Sequence, residues 1–368
     1  MSSIGYTYAF KPYHPSIASI FGPTPKLELL LENTTYPFAH EAGVFIPCQN
    51  ALYITSNQFP HPETGEPHIT ISRLDLPPNL ESTKTTCTEL HAPDIPMANG
   101  AVNYKNGILF CAQGTLHRNG GLVYMPLDTP PTSIPHPQSC QLPSHTNTHT
   151  HTHTHTPQPQ PLTQTLLTTY HTRPFNSPND IVIHSSTGTI LFTDPPYGHA
   201  QRIRPPPLLP PQIYAFNPTN NSIRVVADGL ARPNGLCFAP GEETLYITDT
   251  SFIHGDGSTD FSRPSTIYAY TVLHSHGEVF LSQKRVFAMA DVGVPDGIKC
   301  DGWGNVYAGC GDGVNVWSPG GVLLGKILVE GGVANFCFGR GGVLYCLNET
   351  RVWRVRLGEG VKGALLGL

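Results

Sequence analysis

The stretch RPNGLCFAPGEETLYITDT, residues 232–250, sets the plan of the whole chain. It runs from a polar anchor, Asn234, through a β-rich run and a turn at Gly241-Glu242 into a second β-rich run ending at Asp249. Two such runs joined by turn residues read as a β-hairpin. Working outward, five more segments repeat the plan. They are EAGVFIPCQNALYITS from Glu41, NGAVNYKNGILFCAQ from Asn99, NDIVIHSSTGTILFTD from Asn179, DGIKCDGWGNVYAGC from Asp296 and NFCFGRGGVLYCLN from Asn335. In chain order the anchor reaches the end of its second run in 15, 14, 15, 15, 14 and 13 residues, at Ser56, Gln113, Asp194, Asp249, Cys310 and Asn348. Two further strand-like runs follow several hairpins, QIYAF then SIRVVAD, and STIYAY then KRVFAMA, so one unit is four strands.

Anchors are spaced 58, 80, 55, 62 and 39 residues apart, which suits propeller blades of roughly 40–50 residues carrying insertions. The expected fold is all-β, a six-bladed β-propeller, with residues 1–368 forming one domain and hairpins starting near 41, 99, 179, 234, 296 and 335. The sixth unit has no room for a fourth strand after WRVRL. The run KLELLLEN, residues 26–33, is expected to supply it and close the ring with an N-terminal strand. Two separate β-sandwiches are the competing architecture. The 80-residue spacing holds a His-Thr-rich insertion at 141–161, which includes HTNTHTHTHTHTPQPQP. It has too few apolar residues to bury and is expected to be disordered; chelation by neighbouring imidazoles is the alternative.

Composition agrees with this plan. Of 368 residues, 36 are Gly and 37 Pro, and only 13% are charged, which excludes a coiled coil or helical solenoid. A net charge of −5 leaves no basic surplus for nucleic acid. No apolar run is long enough to span a membrane, and MSSIGYTYAFKPYHP does not read as a secretory leader. Nine cysteines without a Cys-x-x-Cys pair fit a reducing, cytoplasmic setting. Neither a Gly-x-Ser-x-Gly elbow nor a phosphate loop ending in Gly-Lys-Ser/Thr occurs.

Because each anchor opens the innermost strand of a blade, Glu41, Asn99, Asn179, Asn234, Asp296 and Asn335 are expected at one mouth of the central channel. Hairpin ends return to the same face, placing Asp194 and Asp249 in an outer shell there. Two carboxylates among amide oxygens suit a hard divalent cation, whereas no anchor is His or Cys, the usual zinc donors. Asn and Asp also cap ordinary turns. The tripeptides Pro178-Asn179-Asp180, Pro233-Asn234-Gly235 and Pro295-Asp296-Gly297, in register with Glu41, favour a site over mere caps.

The segments NSPNDIVIHSSTGTILFTDPPYG, RPNGLCFAPGEETLYITDT and VPDGIKCDGWGNVYAGCGDGVNVWSPGG resemble the regucalcin/gluconolactonase family. HEAGVFIP, FNSPND and GVANFCF are similar to its fungal lactonohydrolase branch. The resemblance implies a six-bladed propeller that hydrolyses lactones with a divalent metal, usually calcium. It assigns Glu41, Asn179, Asn234 and Asp296 as metal ligands, with Asn179 also at the substrate. The animal branch has an arginine where Ser177 stands, so a sugar lactone does not transfer with the resemblance.

The chemistry is coherent on its own terms. A divalent cation polarises a lactone carbonyl and acidifies bound water, and a nearby carboxylate can take the water's proton. Candidate catalytic groups are Asp296, which is ligand first and base second, Asp180, and His40. Strand alternation leaves open which way Asp180 faces. Candidate substrate contacts are Asn179, Asp194, Tyr197 and Asp249, with the loops at 194–212 and 251–265 shaping the pocket. Loop aromatics Tyr197, Phe252 and Phe261 fit a less polar ligand than a free sugar lactone. The expected function is a metal-dependent hydrolase opening a small-molecule lactone. A metal-assisted isomerisation or cyclisation in a biosynthetic pathway and a non-enzymatic interaction scaffold are the alternatives.

Overall fold

The computed structural model describes residues 8–127 and 162–368. The insertion expected at 141–161 lies outside the described residues. Within them the chain is nearly all strand, with helices only at Ile17–Phe21 and Tyr197–Ala200 and one 3-10 turn at Pro47–Gln49.

The six expected hairpins are each the inner pair of a four-stranded antiparallel blade. The inner strands are Glu41–Ile46, Ala98–Tyr104, Ile181–Ile183, Pro233–Phe238, Ile298–Cys300 and Asn335–Phe338. Each neighbours the next in this order, and the last returns to the first, so the ring is closed. Lys26–Glu32 pairs antiparallel with Arg351–Arg356 and supplies the outer strand of the sixth blade. This is the six-bladed propeller closed by an N-terminal strand that the repeat implies. One element was not foreseen: Phe10–Pro12 adds a fifth strand to the fifth blade, pairing with Leu323–Leu328.

Alternation along the strands explains where the core sits. Successive side chains of a strand face opposite sides, so each blade presents one apolar face to each neighbour. In the fourth blade Leu245 and Ile247 pack toward the third, with Leu191, Ile213 and Leu236, while Tyr246 packs toward the fifth, with Ile298 and Val306. The buried apolar residues accordingly form six clusters, one in every seam between blades.

At the anchor end the seams are held by polar contacts. The hydroxyls of Thr55, Thr193 and Thr248 donate to the backbone carbonyls of the next anchors, Asn99, Asn234 and Asp296, at 3.2, 2.7 and 3.1 Å. The glycine after an anchor has its reason here. A Cβ on Gly235 would lie 2.4 Å from the Asp296 carbonyl oxygen, and one on Gly297 would lie 2.3 Å from the Asn335 side-chain oxygen. Neighbouring blades approach closely only because that position has no side chain.

Closure rests on charge as well as strand pairing. Glu28, on the N-terminal strand, accepts from Arg354 Nε at 2.9 Å and from Arg356 Nε and Nη2, both at 2.7 Å. Burial alone would raise the Glu28 carboxyl, but the hydrogen bonds from Arg356 and Arg354 outweigh it and hold it below the ordinary glutamate value. The eight cysteines among the described residues are free thiols; Cys237 and Cys300 meet across a seam at 3.6 Å.

Two predictions follow from the seams and the closure. Gly235→Ala should lower stability by about 1–3 kcal/mol, the usual cost of overpacking, read from the urea midpoint; an unchanged midpoint would show that the seam spreads freely. A lowered pKa means that Glu28 stabilises the fold above its unfolded value, about 4.3, and that this contribution is lost as pH falls through the folded value. The Tm gap between the natural protein and Glu28→Gln should therefore be widest near neutrality and narrow below about pH 4. A gap independent of pH would remove Glu28 from the closure.

Candidate metal-binding and active site

The anchors lie within two residues of the start of the inner strands, and they converge on one mouth of the channel. Glu41 Oε2 accepts from Asn335 Nδ2 at 2.7 Å. The Asn335 side-chain oxygen in turn accepts from the Phe336 N–H at 2.8 Å, which fixes the amide's orientation. Glu41, Asn179 and Asn234 are buried and Asp296 is half-buried.

The carboxyl groups there burden one another. Burial, then the charges of Asp296 and Asp180, push Glu41 up to about 8 against the opposing effects of His40 and Asn335. Burial also raises Asp296, to about 6, opposed first by His40, with Glu349 and Asp180 adding to the rise and the Asn234 amide lowering it. Asp180 is raised by burial. Three acids thus face the same desolvated space with too little positive charge among them.

Several oxygens in this space lack donors. Asn99 Oδ1, Asn179 Oδ1 and Asp296 Oδ1 are buried without a hydrogen-bond partner among the described residues. An orphaned buried acceptor costs about 1–3 kcal/mol, so such a group of them is an unusual thing to retain. Among the described residues no cluster of three His, Cys, Asp or Glu is set up for a metal. A cation at this mouth would have to use amide as well as carboxylate oxygens. The donor set, with unspent oxygens and surplus negative charge, fits a hard oxygen-seeking ion.

His40 Nδ1 pairs with Glu349 at 2.6 Å. Burial works against its protonation, but Glu349, Glu41 and Asp296 outweigh it and raise the imidazole to about 10. At neutral pH it carries a proton, so here it is a positive charge and a donor. Asp180 is buried, with Oδ1 accepting from Ile181 N–H at 2.8 Å and Oδ2 from Leu236 N–H of the next blade at 3.3 Å. It is tied across the seam, close enough to the mouth for its charge to act on Glu41 and Asp296.

Asp194 and Asp249 occupy the outer shell and share one geometry. Asp194 accepts from Asn176 N–H at 2.9 Å and Ser177 N–H at 2.8 Å. Asp249 accepts from Ala231 N–H at 2.9 Å and from the N–H groups of Arg232 and Ser251 at 3.1 Å. Each carboxylate staples the segment that leads into its own blade's anchor, Asn179 or Asn234. Asn348 does the same work with a donor, its Nδ2 reaching the Gly332 carbonyl at 2.5 Å ahead of Asn335.

Two loops cover this face. Tyr197, on the short helix Tyr197–Ala200, bonds its hydroxyl to that of Thr250, and the Arg232 guanidinium lies 5.8 Å from its ring centre. Burial raises the Tyr197 phenol, and the Asp296 charge adds to that rise, so its hydroxyl lies within range of the site. Phe252 and Phe261 stack edge to face at 5.1 Å, with Phe261 89% exposed. Arg204, which sequence reading passed over, is buried and fully engaged. Its guanidinium donates to the carbonyls of Asn176, Phe175, Thr115 and Arg118 at 2.7–3.0 Å, clamping the loop to two blades. Glu349 was also missed, although its position next to Asn348, at the end of a hairpin, marks the right face. A small polar pocket of about 20 Å³, lined by His40, Asn99, Gln113 and Gln201, lies at this mouth; the larger cavity lies further down the channel, away from the anchors.

In Asp194→Asn the amide nitrogen cannot accept, so one of two buried N–H groups loses its partner. At about 1–3 kcal/mol, hydrogen exchange at Asn176 and Ser177 should quicken by about 10-fold or more, while Ala231 and Arg232 keep their rates. Unchanged exchange at Asn176 and Ser177 would show that the carboxylate does not hold this segment.

Comparison with known proteins gives the chain's family and fold. The family model for the SMP-30/gluconolactonase/LRE-like region matches residues 81–345. A lactonohydrolase of Aspergillus oryzae is 28% identical over 364 residues, covering 94% of this chain and 73% of that protein. A gluconolactonase of Zymomonas mobilis is 32% identical over 198 residues, covering 51% of this chain and 52% of that protein. Among solved structures, a gluconolactonase from Xanthomonas campestris superposes with a TM-score of 0.66 at 23% identity, over 95% of this chain and 94% of that one. A calcium-binding regucalcin from Agrobacterium tumefaciens superposes with a TM-score of 0.59 at 16% identity, over 92% and 95%. Both superpositions speak for the propeller fold, and the family match spans well over half of the chain. By that match, the chain belongs to the SMP-30/gluconolactonase/LRE-like family.

Proposed function

We propose that the protein hydrolyses a lactone with the help of one divalent cation, calcium by preference, held by Glu41, Asn179, Asn234 and Asp296. The observation that carries this reading is the channel mouth, where mutually repelling carboxyls and partnerless buried oxygens converge in a member of this family. The lactonohydrolase of A. oryzae and the gluconolactonase of Z. mobilis support the reaction class. A cation bound there would polarise the lactone carbonyl and acidify a water.

The chain's own groups divide the remaining work. Asp180, kept off the ligand set and raised by burial, is the base that takes the water's proton, because a carboxyl with a raised pKa accepts more readily. His40, held as an imidazolium by Glu349, supplies positive charge beside the developing oxyanion. Asn335 orients Glu41. Asp194 and Asp249 act at one remove, holding the segments that present Asn179 and Asn234, and Tyr197 caps the substrate side.

Ser177 bears on the substrate. Its hydroxyl donates to the Pro195 carbonyl at 2.6 Å and accepts from Gly198 N–H at 2.9 Å, so it is spent on holding the Tyr197 loop. Ser177 stands where the animal branch has the arginine that faces a sugar, so a lactone less polar than an aldonolactone is the expected substrate.

The test is a panel of aldono-, aromatic and aliphatic lactones, assayed with and without chelator. Turnover should require the cation and favour the aromatic or aliphatic members. Asp296→Ala should abolish it, and Asp180→Asn should lower kcat about 10²-fold or more, the usual worth of a general base, with cation affinity retained. Inactivity on every lactone with cation demonstrably bound would overturn hydrolysis and leave an isomerisation or cyclisation at the same site.

A further inference from the structure

Below the anchors the channel widens into a cavity of about 390 Å³. All six inner strands line it, and the C-terminal segment 363–368 forms its floor. That floor is built into the fold. Ala364 N–H donates to the Cys300 carbonyl at 2.9 Å, and Gly302 N–H donates to the Lys362 carbonyl at 2.8 Å. Gly363 lies so close to Phe338 that an added Cβ would sit 2.5 Å from its side chain. Leu366 and Leu368 pack on the seam cluster that contains Phe45 and Tyr345.

The volume is that of a small-molecule site, about 300–1,000 Å³. The walls are mainly apolar, as at Val44, Val182 and Phe238, and they carry one ammonium, on Lys299. Among the described residues Lys299 enters no hydrogen bond or ion pair at its amine. The side-chain carboxylates within reach are already occupied, and the carboxylate of Leu368, also in the lining, makes no ion pair with Lys299 among the described residues. Glu242, in the lining, accepts from Ser185 N–H at 2.7 Å and from its hydroxyl at 2.8 Å, with His184 Nε2 at 3.5 Å. Asp180, toward the anchors, feels the Lys299 charge but is held by two backbone N–H groups. Lys299 is half-buried, and the complement of an unpaired ammonium on an apolar wall is an anion with an apolar body.

We infer that this cavity is a second ligand site, distinct from the anchor mouth, which takes an apolar monocarboxylate with its carboxylate on Lys299 and its hydrocarbon along the channel walls. The inference does not depend on the lactone reading, because no anchor residue lines the cavity. Its occupant would sit on the opposite side of the anchors from the loops that cover the mouth.

The experiment is calorimetric titration of octanoate, and of 1-octanol as its uncharged counterpart, into the full-length chelated protein. Chelation matters because it removes any cation from the mouth, where an octanoate carboxylate could otherwise bind. One octanoate should bind per chain. Lys299→Met should weaken octanoate about 10-fold or more, the worth of a charge-assisted contact, and change octanol by less than about 2-fold. Val182→Phe, which fills the cavity, should weaken both. Should either variant fail to fold, octanoate should still protect Lys299 of the natural protein from reductive methylation, read by mass spectrometry. Absence of saturable binding, binding indifferent to both substitutions, or equal methylation of Lys299 with and without octanoate would overturn the inference.

Discussion

Neighbouring blades meet at the anchor residue, and the rest of the molecule is arranged around that contact. Its carbonyl accepts a threonine hydroxyl from the blade before it, as Asn234 does from Thr193 and Asp296 from Thr248. The position after it is glycine where the next blade presses closest, at Gly235 and Gly297. The same contact that closes the seam therefore draws the anchor side chains into one narrow mouth. Fold and site are not separable here, because the backbone approach that completes the ring also concentrates the acids.

That concentration has an electrostatic consequence. Glu41 and Asp296 are raised first by burial and then by neighbouring acids, and the positive charge of His40 only partly offsets this. A charged group removed from water needs a partner or must give up its charge. A divalent cation would serve as that partner and occupy the orphaned oxygens of Asn179 and Asp296 at once. Asp194, Asp249 and Arg204 fit the same scheme from outside, since each spends its side chain on backbone groups of the segments that lead into the anchors or cover them.

Much of the fold was legible because a propeller writes its period into the chain. The anchor-to-end spacing located all six hairpins, and the missing strand after WRVRL pointed to KLELLLEN. Phe10–Pro12 was not legible, since a three-residue edge strand has no pattern of its own. For the candidate site, spacing put Asp194 and Asp249 on the anchor face, but it does not encode where a carboxylate points, and theirs point at backbone N–H groups and not at a substrate. Asp180 shows the same limit, because alternation could not decide its side and its actual partners lie on two blades. Arg204 and Glu349 depend on contacts between segments far apart in sequence, with partners such as Thr115 and His40.

The central claim is that the anchor ring is a cation site and not a set of turn caps. Calorimetric titration of the chelated protein with calcium tests it most directly. The account predicts one calcium per chain for the natural protein, no detectable binding for Glu41→Ala or Asp296→Ala, and nearly unchanged affinity for Asp249→Asn, whose carboxylate faces backbone N–H groups. A natural protein that takes up no divalent cation, or anchor variants that bind it undiminished, would contradict the account.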